Sequence, residues 1–437
     1  MIFHLFSSSS SIRGWAVFLT GTAICLFVFN AFQDLIFHTD AILYNQMALD
    51  FLQNGEIPGN FIRLPLFPVV AALWMLFDIN LAYFVWFQVI FLVISSYLVF
   101  HEFHENRHWS HIQAFLVSSV FYWPQVLPVS RLFLTEALTV LEITLFFFFL
   151  FALERKNSLR SAIGLFLASS AGLFTKPAFA VFPVSLIVRA VASRLFSTRN
   201  RPLSTTHEAS SRVLSVMLLS LVFSMVLVGI HRYIWIGKFV YSPTIGFNLS
   251  NKYADFIELV EPEYPELVKP ILEARKKMDE AGQGRAVVWT IISDLRKSTG
   301  LSMSELNTRF LKIGLLLITR APGRFLKKIG DSFIRYCKLL PSYVTISESL
   351  IYSLFYGLHL ILFCFFWIFL AFKLAPPWNF YPTETAILMC ILGYFILHLL
   401  IEYGDEYRWL MPILPFFYIF SIDFARQGWN KVGFRRV

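Results

Sequence analysis

Charge is scarce in this chain of 437 residues: only 15% are Asp, Glu, Lys or Arg, while 57% are hydrophobic and the mean hydropathy is +0.63. That balance excludes a soluble globular domain, because repeated apolar runs of roughly 18 residues or more read as transmembrane helices. Cysteine is equally sparse, with four in all. Cys25, Cys364 and Cys390 fall inside apolar runs and Cys337 stands alone, so neither a disulfide framework nor a CxxC metal site is written here. There is no Gly-rich phosphate loop, no internal repeat and no low-complexity tract. No small-residue cleavage site follows the first apolar run, Gly14 to Phe32, so that run reads as an uncleaved first helix. Acidic residues are outnumbered, 28 against 37 basic, for a net charge of +9 and a pI near 9.3. In a membrane chain this implies inward-facing basic loops and contact with anionic membrane lipids, not nucleic acid.

What is present is a series of apolar runs. Spans are expected at about 14–33, 80–100, 112–130, 132–152, 160–175, 177–194, 213–235, 350–372, 384–401 and 407–425. The fold class is therefore all-α integral membrane: a polytopic bundle of about ten transmembrane helices, an amphipathic first outer loop and one larger outer block. Its divisions are residues 1–235, a transmembrane module holding the first outer loop (34–68); 236–348, an extracytoplasmic block; and 349–437, the C-terminal transmembrane helices. With the N-terminus inside, segments 153–160, 194–212 and 426–437 are the basic inner ones, so both termini are expected to be cytoplasmic. The segment Leu64–Phe77 is too short to span and, with Pro65 and Pro68 at its start, reads as a surface or half-buried helix. The loop 101–111 holds four histidines at irregular spacing, which fits a polar loop better than a metal site. In the outer block, Asn248-Leu249-Ser250 is a glycosylation triplet expected by chance, and the basic run Arg320–Lys328 could lie against headgroups.

The first outer loop organises the rest. It carries Asp34, Asp40, Asp50 and Glu56, and on a helix Asp40 and Tyr44 share one face. Ala41, Leu43, Met47, Ala48, Phe51 and Leu52 give that helix an apolar side suited to the membrane surface. Three further outer turns carry charge: Arg131 with Glu136, Lys176, and Glu402, Asp405, Glu406 and Arg408. Glu142 lies deeper in the same run as Glu136. Singly, Arg131, Lys176 and Arg408 fit interfacial anchors, and Glu136 fits a helix cap. Together they bring both signs of charge to one face of the bundle. A carboxylate there can take a proton, and cations there can hold a lipid-borne phosphate.

Taken in order, these turns resemble the polytopic GT-C glycosyltransferases that use polyprenyl-phosphate sugars, the protein O-mannosyltransferase and lipid A aminoarabinose transferase group. The likeness runs through Asp40-Ala-Ile-Leu-Tyr44-(x)3-Ala48, then Asn54-Gly55-Glu56 and Arg63-Leu-Pro65-Leu-Phe-Pro68. It continues in Thr135-Glu136-Ala137, in Gly172-Leu-Phe-Thr175-Lys176-Pro177, and in Glu406-Tyr407-Arg408-(x)3-Pro412-(x)2-Pro415. The last is similar to the family's closing signature with Tyr and Arg transposed. The resemblance implies sugar transfer from a polyprenyl-phosphate carrier to a lipid, glycan or protein acceptor on the extracytoplasmic side, by inverting direct displacement. It implies Asp40 as catalytic base. Asp34, Tyr44, Arg63, Arg131, Glu136, Lys176, Glu406 and Arg408 become substrate-binding, with Lys176 and Arg408, and Arg131 as a weaker third, on the leaving phosphate. No cofactor is certain: the family's frequent acidic pair is Asp40-Ala41 here, so a divalent cation stays open. A transporter or flippase of a lipid-linked anionic substrate is the alternative; it calls for charges near the bilayer midplane.

Overall fold

The computed structural model describes residues 9–29, 35–36, 39–55, 63–79, 81, 83–196, 206–242, 244–280, 287–338, 350–374, 382–401, 408 and 410–431. Among them the chain is helical, and its one bridge between extended residues joins Ile36 to Leu132. The helices are α1 (Ser9–Val28), α2 (Thr39–Asn54), α3 (Leu66–Met75), α4 (Phe84–His101), α5 (His111–Ser118), α6 (Glu136–Lys156), α7 (Leu159–Thr175), α8 (Val181–Phe196) and α9 (Thr206–Ile236). A second group follows: α10 (Ile245–Tyr253), α11 (Pro265–Glu280), α12 (Val287–Thr299), α13 (Met303–Arg320) and α14 (Pro322–Lys338). Last come α15 (Leu350–Leu374), α16 (Pro382–Ile401) and α17 (Leu414–Lys431).

Three stretches are long and apolar enough to cross a membrane by length and composition: Phe84–Asn106, Glu136–Lys156 and Ser211–Ile236. Their burial separates their roles. The apolar window of Glu136–Lys156 is 78% buried and that of Ser211–Ile236 only 33%. So α6 is the bundle's inner post, apolar on every side, while α9 shows most of its surface outward. Asn157 closes α6 in the left-handed conformation (φ 44°), a cap that frees the chain to reverse. Ser158 then accepts from the Ser161 amide and starts α7.

The expected continuous span at 112–130 is not what forms. α5 starts from a capping box of Ser110 and Gln113, runs eight residues, and tightens into a 3-10 turn over Ser119–Tyr122. Beyond it the backbone is irregular as far as Thr135, with a second 3-10 turn at Leu127–Arg131. Pro124 and Pro128 are the reason: each lacks an amide hydrogen and clashes with the preceding turn. Non-helical backbone this deep must find partners inside the protein. Gln88 of α4 supplies two, donating its Nε2 to the carbonyls of Ser130 and Leu132 at 2.9 Å each. Ile36 supplies the others, donating to the Arg131 carbonyl and accepting from the Phe133 amide. These bonds tie the start of the first loop to the turn before α6. The following span, expected from 132, accordingly begins at Glu136.

α3 occupies the expected short segment and buries Phe67, Pro68, Ala71, Ala72 and Met75 while Leu73, Leu76 and Phe77 stay exposed. This second group has its own core, around Phe247, Tyr253, Ile257, Leu267, Phe310 and Leu317. α14 joins the two cores: Phe325 packs in that of the second group, whereas Tyr336 packs in that of the bundle. The basic run Arg320–Lys328 spans the end of α13 and the start of α14, and is partly engaged within the block: Arg320 pairs with Glu263, Arg324 with Glu258 and Lys328 with Asp255, while Lys327 is exposed. In the triplet at 248, Ser250 is fully buried in α10 and donates to the Phe247 carbonyl.

Candidate functional site

α6 is a ruler for the bundle. Its first residue, Glu136, and Arg155 near its end lie about 28 Å apart at 1.5 Å per residue. Around Arg155 gather Glu102 (2.5 Å), the Arg107–Asp423 pair, and Arg189 with Glu154 (3.0 Å). In the histidine loop beside them, His104 Nδ1 donates to the Trp109 carbonyl at 2.8 Å and its ring packs on His111. An apolar crevice at this end, between α4, α6, α16 and α17, is walled by Leu98, Phe147, Phe148, Ile387 and Phe420. It touches none of the sequence-derived candidates.

Those candidates meet at the opposite end. Asp40 stands in the first turn of α2, where a helix N-terminus favours a carboxylate. Its Oδ1 pairs with Arg63 and its Oδ2 lies 2.7 Å from Arg408 Nη2. Arg408 turns its Nε to Glu136 Oε1 at 2.8 Å, and Lys176 Nζ reaches the same oxygen at 3.5 Å. Tyr44, one turn beyond Asp40, is buried under the Arg63 guanidinium, 5.3 Å from ring centroid to Cζ. Loss of water raises the phenol's pKa, the effect of Arg63 opposing it. Five residues from four distant stretches thus form one network. Glu136 is fully buried and Arg408 and Lys176 nearly so, whereas the Asp40 side chain keeps 24% of its surface open.

Local backbone explains how Lys176 arrives there. Its amide caps α7 on the Gly172 carbonyl, and its own extended conformation turns the chain into the 3-10 turn opened by Pro177. The turn closes only because Phe179 lies flat on Gly172, where a Cβ would stand 2.3 Å from the ring. Thr175 donates to Glu142 Oε1 at 2.5 Å, fastening the turn to the middle of α6.

Arg131 meets the first loop through its backbone carbonyl, and its side chain is half-buried. Asp34 and Glu406 lie outside the described residues. Two residues were not among the sequence-derived site candidates. His398, buried in the last turn of α16, donates its Nδ1–H to the Tyr394 carbonyl at 2.9 Å. Arg232 on α9 donates Nη2 to the Arg63 carbonyl at 2.8 Å. A single cation inside HRY, at the end of a long apolar run, looks in sequence like any interfacial anchor.

Chemically the cluster offers a half-open carboxylate, buried cations and unmatched acceptors. Glu136 Oε2 and Glu142 Oε2 are buried without a hydrogen-bond partner. No group of three or more His, Cys, Asp or Glu side chains gathers among the described residues, and Asp40 and Glu136 are bridged by Arg408. No protein-family model matches the chain, and no curated protein matches it in sequence.

Proposed function

We propose that this chain is a membrane glycosyltransferase that moves a sugar from a polyprenyl-phosphate carrier to an acceptor on the extracytoplasmic side. The observation that carries the reading is the convergence of Asp40, Arg63, Glu136, Lys176 and Arg408 from separate turns into one ion-paired cluster. The reading places about ten spans across the bilayer, both termini in the cytoplasm and the cluster at the outer rim. The separate inner-end pairs of Glu102, Glu154 and Asp423 support that direction, since they adjoin the basic segments assigned inside.

In the mechanism the acceptor hydroxyl oxygen attacks the anomeric carbon, and the bond from that carbon to the phosphate oxygen breaks on the opposite side. The phosphate departs with the electron pair, and Asp40 takes the hydroxyl proton. Each Asp40 oxygen meets a guanidinium, Oδ1 that of Arg63 and Oδ2 that of Arg408, which keeps the carboxylate ionised and able to take a proton. Glu136 and Asp34 orient sugar or acceptor hydroxyls, with Glu136 Oε2 still open to one. Tyr44, Arg63, Arg131 and Glu406 line the donor's place. Lys176 and Arg408 fix the two carboxylates and add positive charge where phosphate charge builds. Holding a membrane-anchored donor against its acceptor supplies proximity.

The test is transfer in membranes from a radiolabelled polyprenyl-phosphate sugar, native chain against Asp40→Asn. Loss of a general base should slow transfer about 10²- to 10⁴-fold. Equal rates would remove Asp40 from the chemistry. The transporter reading draws on Glu142, buried about 9 Å farther along α6 than Glu136 by helical rise. Label carried across sealed vesicles without any glycoside formed would favour it.

A further inference from the structure

Arg232 of α9 has no carboxylate partner among the described residues, unlike the cations of the cluster. Arg63 and Arg408 hold Asp40, and Arg408 and Lys176 hold Glu136. Arg232 is only 1% exposed, and its single hydrogen bond goes to the neutral carbonyl of Arg63. Its Nε and Nη1 are buried with no acceptor, and the Nε of Arg63 beside it is in the same condition. A guanidinium does not escape such a place by losing its proton. Burying one without a counter-charge is costly, so the arrangement calls for an anion from outside the chain.

We propose that Arg232, with the Nε of Arg63, binds the phosphate of a membrane-borne lipid. On the reading above that phosphate is the leaving group of the transfer, and this role rests on that reading; the binding itself does not. Planar N–H forks suit phosphate oxygens, which they hold bidentately. The depth of Arg232 argues for a lipid rather than a dissolved ion. The α9 surface facing outward is apolar through Leu218, Val222 and Ile230, and ends in exposed Tyr233 and Trp235. Such an aromatic pair marks headgroup level, where a lipid's phosphate already lies. Lys176 and Arg408, by contrast, are committed to Glu136 and Asp40. The first contact with the phosphate passes to Arg232.

The experiment uses the full chain in phosphatidylcholine nanodiscs, titrated with a long-chain polyprenyl phosphate, the corresponding polyprenol, and inorganic phosphate. The native chain should bind the lipid phosphate at least about tenfold more tightly than the alcohol, from the charge-assisted bonds that only the phosphate can accept. Arg232→Gln should weaken lipid phosphate roughly 10- to 100-fold and leave the alcohol unchanged. Arg232→Lys, which keeps the charge but not the fork, should fall between, and serves if the Gln variant does not fold. Unchanged affinity in either variant would overturn the proposal. So would parallel weakening of phosphate and alcohol, since that is what a merely structural arginine would give. Inorganic phosphate bound as tightly as the lipid would overturn the lipid assignment. Selective binding by a native chain that forms no glycoside would retire the transfer reading and leave the phosphate site standing. Transfer undiminished by Arg232→Gln would remove Arg232 from the leaving phosphate and leave the transfer reading standing.

Discussion

Arg408 lies between two carboxylates, and its removal has a cost that the geometry makes unequal. In Arg408→Gln, Glu136 loses a 2.8 Å ionic bond and retains only Lys176 at 3.5 Å, with Oε2 already unpartnered. Stripping one partner from a buried pair costs about 3–5 kcal/mol. Glu136→Gln should cost less, about 1–3 kcal/mol, because Arg408 keeps Asp40 at 2.7 Å and the amide oxygen can still accept. In the double variant the carboxylate that made Arg408→Gln so damaging is gone. Its cost should therefore fall short of the sum of the singles by about 1.5–3 kcal/mol. Equilibrium unfolding in mixed detergent micelles, monitored by tryptophan fluorescence, measures all three. Additive losses, within about 0.5 kcal/mol, would mean the two side chains do not interact, and the cluster would cease to be a unit.

Gly172→Ala should destabilise by about 1–3 kcal/mol through overpacking on Phe179, and shortening that ring in the double variant Gly172→Ala/Phe179→Ala should relieve part of the clash; unfolding midpoints report both. Thr175→Val removes the donor to Glu142 Oε1, leaves both oxygens of a buried carboxyl unmet, and should cost about 1–3 kcal/mol by the same measurement, with Thr175→Ser restoring most of it. In the helical group from α10 to α14, hydrogen bonds from Arg320 to Glu263 and from Ser302 to Glu305 hold these carboxyls below their ordinary pKa. Their folded values are depressed, so their stabilisation is present above the unfolded carboxylate range and is lost as pH falls through the folded values. Thermal unfolding from pH 6 to pH 3 should lose part of its acid sensitivity in Glu305→Gln. Cysteine introduced as Lys297→Cys should react with an impermeant maleimide in intact cells, and Lys156→Cys only after the membrane is opened; the opposite pattern would invert the orientation.

Much of the fold was legible because its signal is one of quantity. Long runs without charge have few places to go other than a membrane or a buried helix, and α4, α6, α7, α15 and α16 begin and end within a few residues of the expected runs, while α9 ends with its run but begins seven residues earlier. Hydropathy failed at 112–130, where the apolar content is real but Pro124 and Pro128 forbid the helix that content suggested. The candidate residues were legible for the opposite reason. Asp40, Glu136, Lys176 and Arg408 are charges interrupting apolar sequence, and in a chain this poor in charge each interruption carries weight.

Composition and order alone thus determined the helical class and the turns that hold charge. Partnership came only with the tertiary structure. Nothing in the spacing of residues 40, 136 and 408 says that one guanidinium bridges two carboxylates, or that Thr175 fastens to Glu142. Nor does HRY at the end of an apolar run say that its arginine turns inward. Ion pairing depends on distances of a few ångströms between chain segments hundreds of residues apart. Those distances are set by how α2, α6, α7 and α9 pack, and no one-dimensional pattern records them.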